Sequence, residues 1–475
     1  MMQVVFKISV FVCCIFLFSS TVPASAQQQE KIGDILDGNR SIPVHLIEMF
    51  DADEGPIRPG DQPLMPFSTK QTCLPCHDYS RISGGWHFNA AEKDVHPGRS
   101  GEPWIWVDPM TATQIPISYS NWPGTIRPER LGMTSWDFIL QFGRHTTGGG
   151  TGELGESDPP DLLRRWMISG DLEINCMSCH DGDAAHDQAE YAAQVLRQNF
   201  RWAAAASSGF TRVYGSAKDM PDNFDLYAGG VGDHPDQIPP TVQYMDGTFD
   251  ARGKVFFNIT KKIPNERCYF CHSTNIIGGD NSEKWEFDED VHLKSGLMCV
   301  DCHRNGINHD MIRGYEEEAE ITGNRTASSF TCQGCHLHKT ASASPDAGRL
   351  GAPWPKHTGI PVVHFDKLSC TACHSGPQPS GTTFDLRTSR AHALGMQNTP
   401  KSPDAVPHIV GPVYAKQENG KIAPHKLFFP SCWVTVDGDS VAPISPDVMR
   451  PIVFQIISQD TLTDSTNFAL IGQWN

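Results

Sequence analysis

The pentapeptide pattern Cys-x-x-Cys-His occurs six times in this chain of 475 residues. The copies are CLPCH (Cys73, Cys76, His77), CMSCH (Cys176, Cys179, His180) and CYFCH (Cys268, Cys271, His272). They continue with CVDCH (Cys299, Cys302, His303), CQGCH (Cys332, Cys335, His336) and CTACH (Cys370, Cys373, His374). This is the attachment signal for c-type haem: the two thiols add across the vinyl groups, and the adjacent His reaches the iron as proximal ligand. At this chain's Cys and His frequencies chance supplies roughly 0.02 copies. A structural zinc site asks for four ligands and does not require a His after every second Cys. A disulfide framework is the other alternative, but six identical short frames suit vinyl attachment better.

The motif starts are 103, 92, 31, 33 and 38 residues apart. The last three gaps leave little room beyond the wrapping of a haem, so residues 266–376 are expected to form a compact four-haem region. The longer first two gaps can build more. Residues 27–210 are expected to form a two-haem region, 211–265 a haem-free linker or insertion, and 377–475 a haem-free C-terminal lobe. The expected fold is mainly irregular, with short α-helices wrapped around covalent haems and a small β content in the C-terminal lobe. At this length the chain exceeds one ordinary core. Its hydrophobic content of 39%, with 42 Gly and 35 Pro, implies much loop, which six large apolar porphyrins replacing side-chain core would explain.

Residues 1–26 read as an export signal: Lys7, an apolar run from Ile8 to Phe18, and Ala24-Ser25-Ala26 as cleavage site. No later segment has the roughly 18 uninterrupted apolar residues of a membrane helix. A periplasmic or extracellular location is expected, with no transmembrane segment in the mature chain. The net charge of −17 becomes −18 once Lys7 is set aside, before any haem propionate is added. Such a balance argues against nucleic acid as a partner. It suits solubility or basic redox partners.

On the six motifs, the chain resembles the multihaem c-type cytochromes over roughly residues 70–376. The resemblance implies electron transfer by an exported hexahaem protein carrying six covalent haem c groups. Its partners would be other redox proteins: cytochromes, a membrane quinol oxidase or a terminal reductase. In that family a His upstream or downstream of a motif commonly ligates a neighbouring haem. Six of the 20 His belong to motifs. Among the rest, His186 and His309 each stand six residues after a motif His, in the matching contexts CHDGDAAHD and CHRNGINHD. His292 and His364 stand seven and six residues before Cys299 and Cys370. These four are the leading candidates for second axial ligands, followed by His87, His96, His145, His338 and His357. A surface or hydrogen-bonded imidazole is the ordinary alternative for each. Two axial His close an iron to substrates, whereas an open sixth position permits chemistry. The alternative function is therefore a multihaem oxidoreductase of a small nitrogen or sulfur compound (nitrite, hydroxylamine or tetrathionate class), through similarity to the octahaem tetrathionate reductase and hydroxylamine oxidoreductase group. Its active haem would be one of the first two, and its catalytic residues are unknown from sequence.

Local signals add detail. Short helical turns are expected around Asp34 and Leu46. Residues 84–122 read as an ordered loop whose Trp86, Trp104 and Trp106 cover a haem or serve as ordinary core. Thr134 or Ser135 caps a helix that stops at Gly143, and Asp158-Pro159-Pro160 starts another through Trp166. HTTGGGTGE (145–153) reads as a flexible turn. One long Ala-rich helix is expected from about Asp183 to Ala206. In the tail, Leu427–Val436 and Pro451–Ile457 look like strands, with a turn at Asp437-Gly438-Asp439. Cys432 is read as a buried Cys on an apolar strand. The ending FALIGQWN shows no closing cap, as a truncated reading frame would.

Overall fold

A computed structural model describes residues 30–35, 38, 41–98, 102–108, 110–143, 152–155, 158–228, 236–273, 275–277, 283–337, 350–353, 355–374, 384–386 and 409–458. The export signal, the 145–151 part of the Gly-rich turn and the ending FALIGQWN lie outside these residues.

Short helices and small antiparallel sheets alternate, with no closed barrel among the described residues. Two-stranded pairs join His45–Ile47 to Val255–Phe257, Trp104–Asp108 to Thr113–Ile117, and Thr211–Tyr214 to Thr241–Tyr244. The β content is thus not confined to the C-terminal lobe. Residues 84–122, expected as loop, contain the Trp104–Asp108 hairpin. Leu46, expected in a helical turn, lies in a strand instead, while Ile32–Asp34 does form a short 3-10 turn.

The helix Ser135–Phe142 follows from its sequence. Thr134 and Asp137 form a reciprocal capping box, and Gly143 ends the helix at φ +65°, where glycine has no Cβ penalty. Leu162–Ser169 follows the Pro-Pro start. The expected long helix is two, Gln188–Leu196 and Phe200–Ser207. Between them Gln198 takes φ +60°, and the Asn199 amide bonds the Gln194 side chain and the Gly215 carbonyl. That buried polar anchor outweighs the helix propensity of the flanking alanines.

The first half of the chain has a true side-chain core. One cluster gathers Met49, Phe67, Met177, Trp202, Val213, Tyr244 and Phe257. Val213, Val242, Tyr244, Val255 and Phe257, from the segment expected as a haem-free linker or insertion, contribute to this core. A second cluster joins Trp104, Trp106, Phe138 and Cys432, with Trp104 edge-on to Phe138 at 5.3 Å. Trp104 and Trp106 are core aromatics, and Cys432 is buried as expected. The C-terminal segment docks here: Ser431 bridges to Gln114, and the Trp433 indole donates to the Thr111 carbonyl at 2.8 Å.

In the C-terminal lobe, Phe384–Leu386, Ile409–Lys416 and Ile422–Phe428 form a sheet. Val434–Asp437 and Ser440–Pro443 form a hairpin across the expected turn, with Gly438 at φ +60°. Pro451–Ile457, expected as strand, belongs to the helix Pro446–Ser458. Pro446 at its first position and Asp447 in its first turn favour that start.

Residues 285–375 contrast with the first half. Among the described residues there, the buried apolar side chains are Ile312, Ala327 and Ala372. Val291 and Val362 stand 68% and 73% exposed. Such a segment buries too little apolar surface of its own to offset the entropy of ordering it.

Candidate metal centre

Each motif lies on a single helical turn or runs off the end of one: Thr69–Cys73, Met177–His180, Asn265–His272, Cys299–Cys302, Cys332–His336 and Thr371–His374. The His amide returns to the first Cys carbonyl at 3.0 Å in His77, His180 and His374, and at 2.9 Å in His303. This i to i−4 bond brings the two thiols, three residues apart, onto the face beside the imidazole. We number the sites 1 to 6 in chain order.

Successive sites bring their thiols near one another in an alternating pattern. The first thiols of sites 1 and 2, Cys73 and Cys176, lie side by side. So do Cys268 and Cys299 of sites 3 and 4, and Cys332 and Cys370 of sites 5 and 6. The second thiols supply the intervening links, Cys179 beside Cys271 and Cys302 beside Cys335. The six sites therefore follow one another in space in the order of the sequence.

Four motif histidines face a second histidine. The ring centroids are 6.0 Å apart for His272 and His87, 6.1 Å for His180 and His309, 6.3 Å for His336 and His292, and 6.1 Å for His374 and His357. Two imidazoles joined through a metal, with bonds of about 2 Å each, have centroids about 6.3 Å apart. Two imidazoles hydrogen-bonded directly sit closer, at about 5.2 Å between centroids. The observed spacings lie nearer the first value than the second.

The outer nitrogens are occupied in the matching sense. Nδ1 of His180 meets the Thr260 carbonyl at 2.9 Å, and Nδ1 of His309 meets the Ile307 carbonyl at 2.9 Å. Nδ1 of His336 meets the Pro353 carbonyl at 2.8 Å, and Nδ1 of His292 lies 3.4 Å from the Asp290 carboxylate. Nε2 of each ring remains for a metal, the arrangement that fixes tautomer and ring plane in metal-binding histidines. Burial lowers the pKa of His180 and His309, and burial with His272, His309 and His303 nearby pushes His87 down to about 3. These rings stay neutral, with a lone pair to offer.

The backbone is shaped around His309. It takes φ +54°, a left-handed conformation costly for a residue with a Cβ. Gly85 permits it: a Cβ there would stand 2.6 Å from the His309 Cβ and 2.8 Å from the Asn308 carbonyl. The apolar surroundings also suit a porphyrin. Phe365, 42% exposed, has its ring 5.2 Å from His357, next to the exposed Val362 and Val363.

Other candidates are placed elsewhere. His186 is buried, its Nδ1 on the Asp181 carboxylate at 3.2 Å and its Nε2 on Gln188 at 3.3 Å, so both nitrogens are engaged within its own loop. His96 is exposed and bonds the Pro97 carbonyl. His364 is exposed on the helix Val362–Lys367, and the structure brings neither to a motif histidine among the described residues. His145 and His338 lie outside the described residues. At site 4, the His303 Nδ1 meets the Ile312 carbonyl at 2.8 Å. At site 1, sequence reasoning missed His45, a half-buried ring on the first strand whose pKa is lowered by burial and by His77 nearby. No fixed offset from a motif marks it. Among the described residues no cluster of three or more His, Cys, Asp or Glu forms a metal cage. No helix among them is long and apolar enough to cross a membrane.

The histidine spacing, the single-turn thiol pairs and the missing core together fit covalent haem. Residues 285–375, which carry sites 4 to 6, match the family model described as cytochrome c7 and related cytochrome c. That similarity supports a multihaem c-type cytochrome with covalently bound haem c, and electron transfer in general. No curated protein and no solved structure matches the chain.

Proposed function

We propose that the chain is an exported hexahaem cytochrome that relays electrons along a line of six mostly bis-histidine sites, ordered 1 to 6. Haem c supplies the Fe(III)/Fe(II) couple when bound. The chain's own residues hold, space and insulate it. The single observation that carries this reading is the set of four motif histidines facing a second ring at 6.0–6.3 Å. On that basis His87 serves site 3, His309 site 2, His292 site 5 and His357 site 6. His45 serves site 1 by its nearness to His77. The nearness of thiols at successive sites supports close haem edges along the row. The apolar run Ile8 to Phe18 and Ala24-Ser25-Ala26 support export. Another cytochrome, a membrane quinol oxidase or a terminal reductase would exchange electrons at the ends of the row.

The test is a haem count by pyridine haemochrome and intact mass, with a spin-state count by EPR and near-infrared magnetic circular dichroism. Six haems with at least five low-spin bis-histidine irons are expected. Fewer haems, or a majority of high-spin iron, would overturn the reading. A high-spin iron that responds to nitrite, hydroxylamine or sulfite would favour the oxidoreductase instead.

A further inference from the structure

Site 1 differs from its neighbours in what stands behind its motif histidine. His180, His303 and His336 each direct Nδ1 to a neutral backbone carbonyl. His77 directs Nδ1 to a carboxylate, Asp34 Oδ1, at 2.8 Å. The Asp34 side chain is 2% exposed, so water screens its charge little. Asp290, behind His292, is a weaker counterpart at 3.4 Å and 44% exposed.

The carboxylate is built in. Its second oxygen, Oδ2, accepts the Asp78 backbone N–H at 2.7 Å. The preceding Gly33 donates its N–H to the Cys76 carbonyl at 2.8 Å, and Lys31 Nζ donates to the Leu74 carbonyl. Gly33 is required for this approach: a Cβ there would lie 2.5 Å from His77 Cε1 and 2.7 Å from the Cys76 carbonyl oxygen. The turn Ile32–Asp34 is thus clasped onto the back of the first motif, with one charge aimed at one ring nitrogen.

We infer that Asp34 is a positioning residue that fixes the His77 ring and lowers the reduction potential of the haem at site 1. This rests on haem attachment at Cys73, Cys76 and His77. A hydrogen bond from Nδ1–H to a carboxylate makes the imidazole a stronger donor to iron. A buried negative charge stabilises the ferric centre, which carries one more positive charge than the ferrous one. Both effects favour oxidised iron. The ring proton stays between Nδ1 and Oδ1 while a single electron arrives or leaves. Because site 1 is the first in the row, that end matches the more strongly reducing of two partners, a reduced redox protein that gives up one electron for each haem it reduces.

The test is spectroelectrochemical titration of the full holoprotein and of Asp34→Asn and Asp34→Glu. In Asp34→Asn one of the six Nernst components should move to more positive potential, changing its oxidised-to-reduced ratio at fixed potential by about tenfold or more, as loss of a buried unit charge several ångströms from the iron implies. The other five should stay, with haem count and low-spin spectrum unchanged. Asp34→Glu should restore most of the shift. Redox-difference infrared spectra of the unaltered protein should show a carboxylate band titrating with the one component that Asp34→Asn moves, and Asp34→Asn should remove it. This second measurement needs no variant to fold. An unmoved set of six potentials in Asp34→Asn, or no carboxylate band in the unaltered protein, would overturn the inference and leave the relay reading standing. A haem count below six would instead strike the relay reading.

Discussion

His309 follows the fourth motif by six residues, yet its ring faces His180 of the second motif, with centroids 6.1 Å apart. The tether of a short spacing does not decide which motif histidine a ring faces. The left-handed turn at His309 and the Gly85 strap across it do.

Replacing His309 by Ala should therefore convert one low-spin iron to high spin at site 2 and leave site 4 intact. EPR of the oxidised variant checks this through a new high-spin signal with one low-spin equivalent lost. An unchanged low-spin count would refute the pairing.

Gly85→Ala should have a related but milder effect. The added methyl meets the His309 Cβ at 2.6 Å and a backbone oxygen at 2.8 Å, and such overpacking costs about 1–3 kcal/mol. A lower thermal midpoint with a partial high-spin signal is expected. A variant as stable as the parent, with normal spin states, would show that the strap is dispensable.

Gly334 lies inside the fifth motif, where a Cβ would come 1.9 Å from the Ser328 carbonyl oxygen. Backbone cannot yield as a side-chain end can. Gly334→Ala should lose the haem at site 5 while the other five attach, which intact mass reads directly. Full loading would mean that the Arg325–Phe330 turn moves freely.

Trp202 is 1% exposed at the centre of the cluster that joins Met49, Phe67, Met177 and Phe257. Trp202→Ala should cost about 3–5 kcal/mol, measured by denaturant unfolding followed in the far ultraviolet. The loss should fall on the N-terminal half, because residues 285–375 contribute little side-chain core of their own.

What was legible in the sequence was local. A Cys-x-x-Cys-His turn closes on itself within five residues, and the Thr134–Gly143 helix carries its own start and stop. Partner choice was not local. His186 and His309 share nearly the same sequence context, but Asp181 and Gln188 capture one ring while Gly85 makes room for the other. His45 and Asp34 had no spacing to announce them, since strand pairing and a 3-10 turn bring each from a distant segment. The break at Gln198 and the helix over Pro451–Ile457 were likewise set by side chains folded in from elsewhere or by caps outside the apolar run. Around the last three sites even the core was invisible as side chains, because Val291, Val362, Val363 and Phe365 stand exposed there.

The reach of the histidine pairs also sets an order of maturation. Thioether attachment needs only five consecutive residues, so under the proposed export it can begin at Cys73 and Cys176 before the later motifs follow. The facing rings for sites 2 and 3 join distant stretches, His180 with His309 and His87 with His272. His357 and His374, by contrast, arrive almost together. On the proposed pairings His45, His87, His292 and His357 each precede the motif they would serve, so site 2, whose partner His309 lies far downstream, would be the one to wait with an open coordination position.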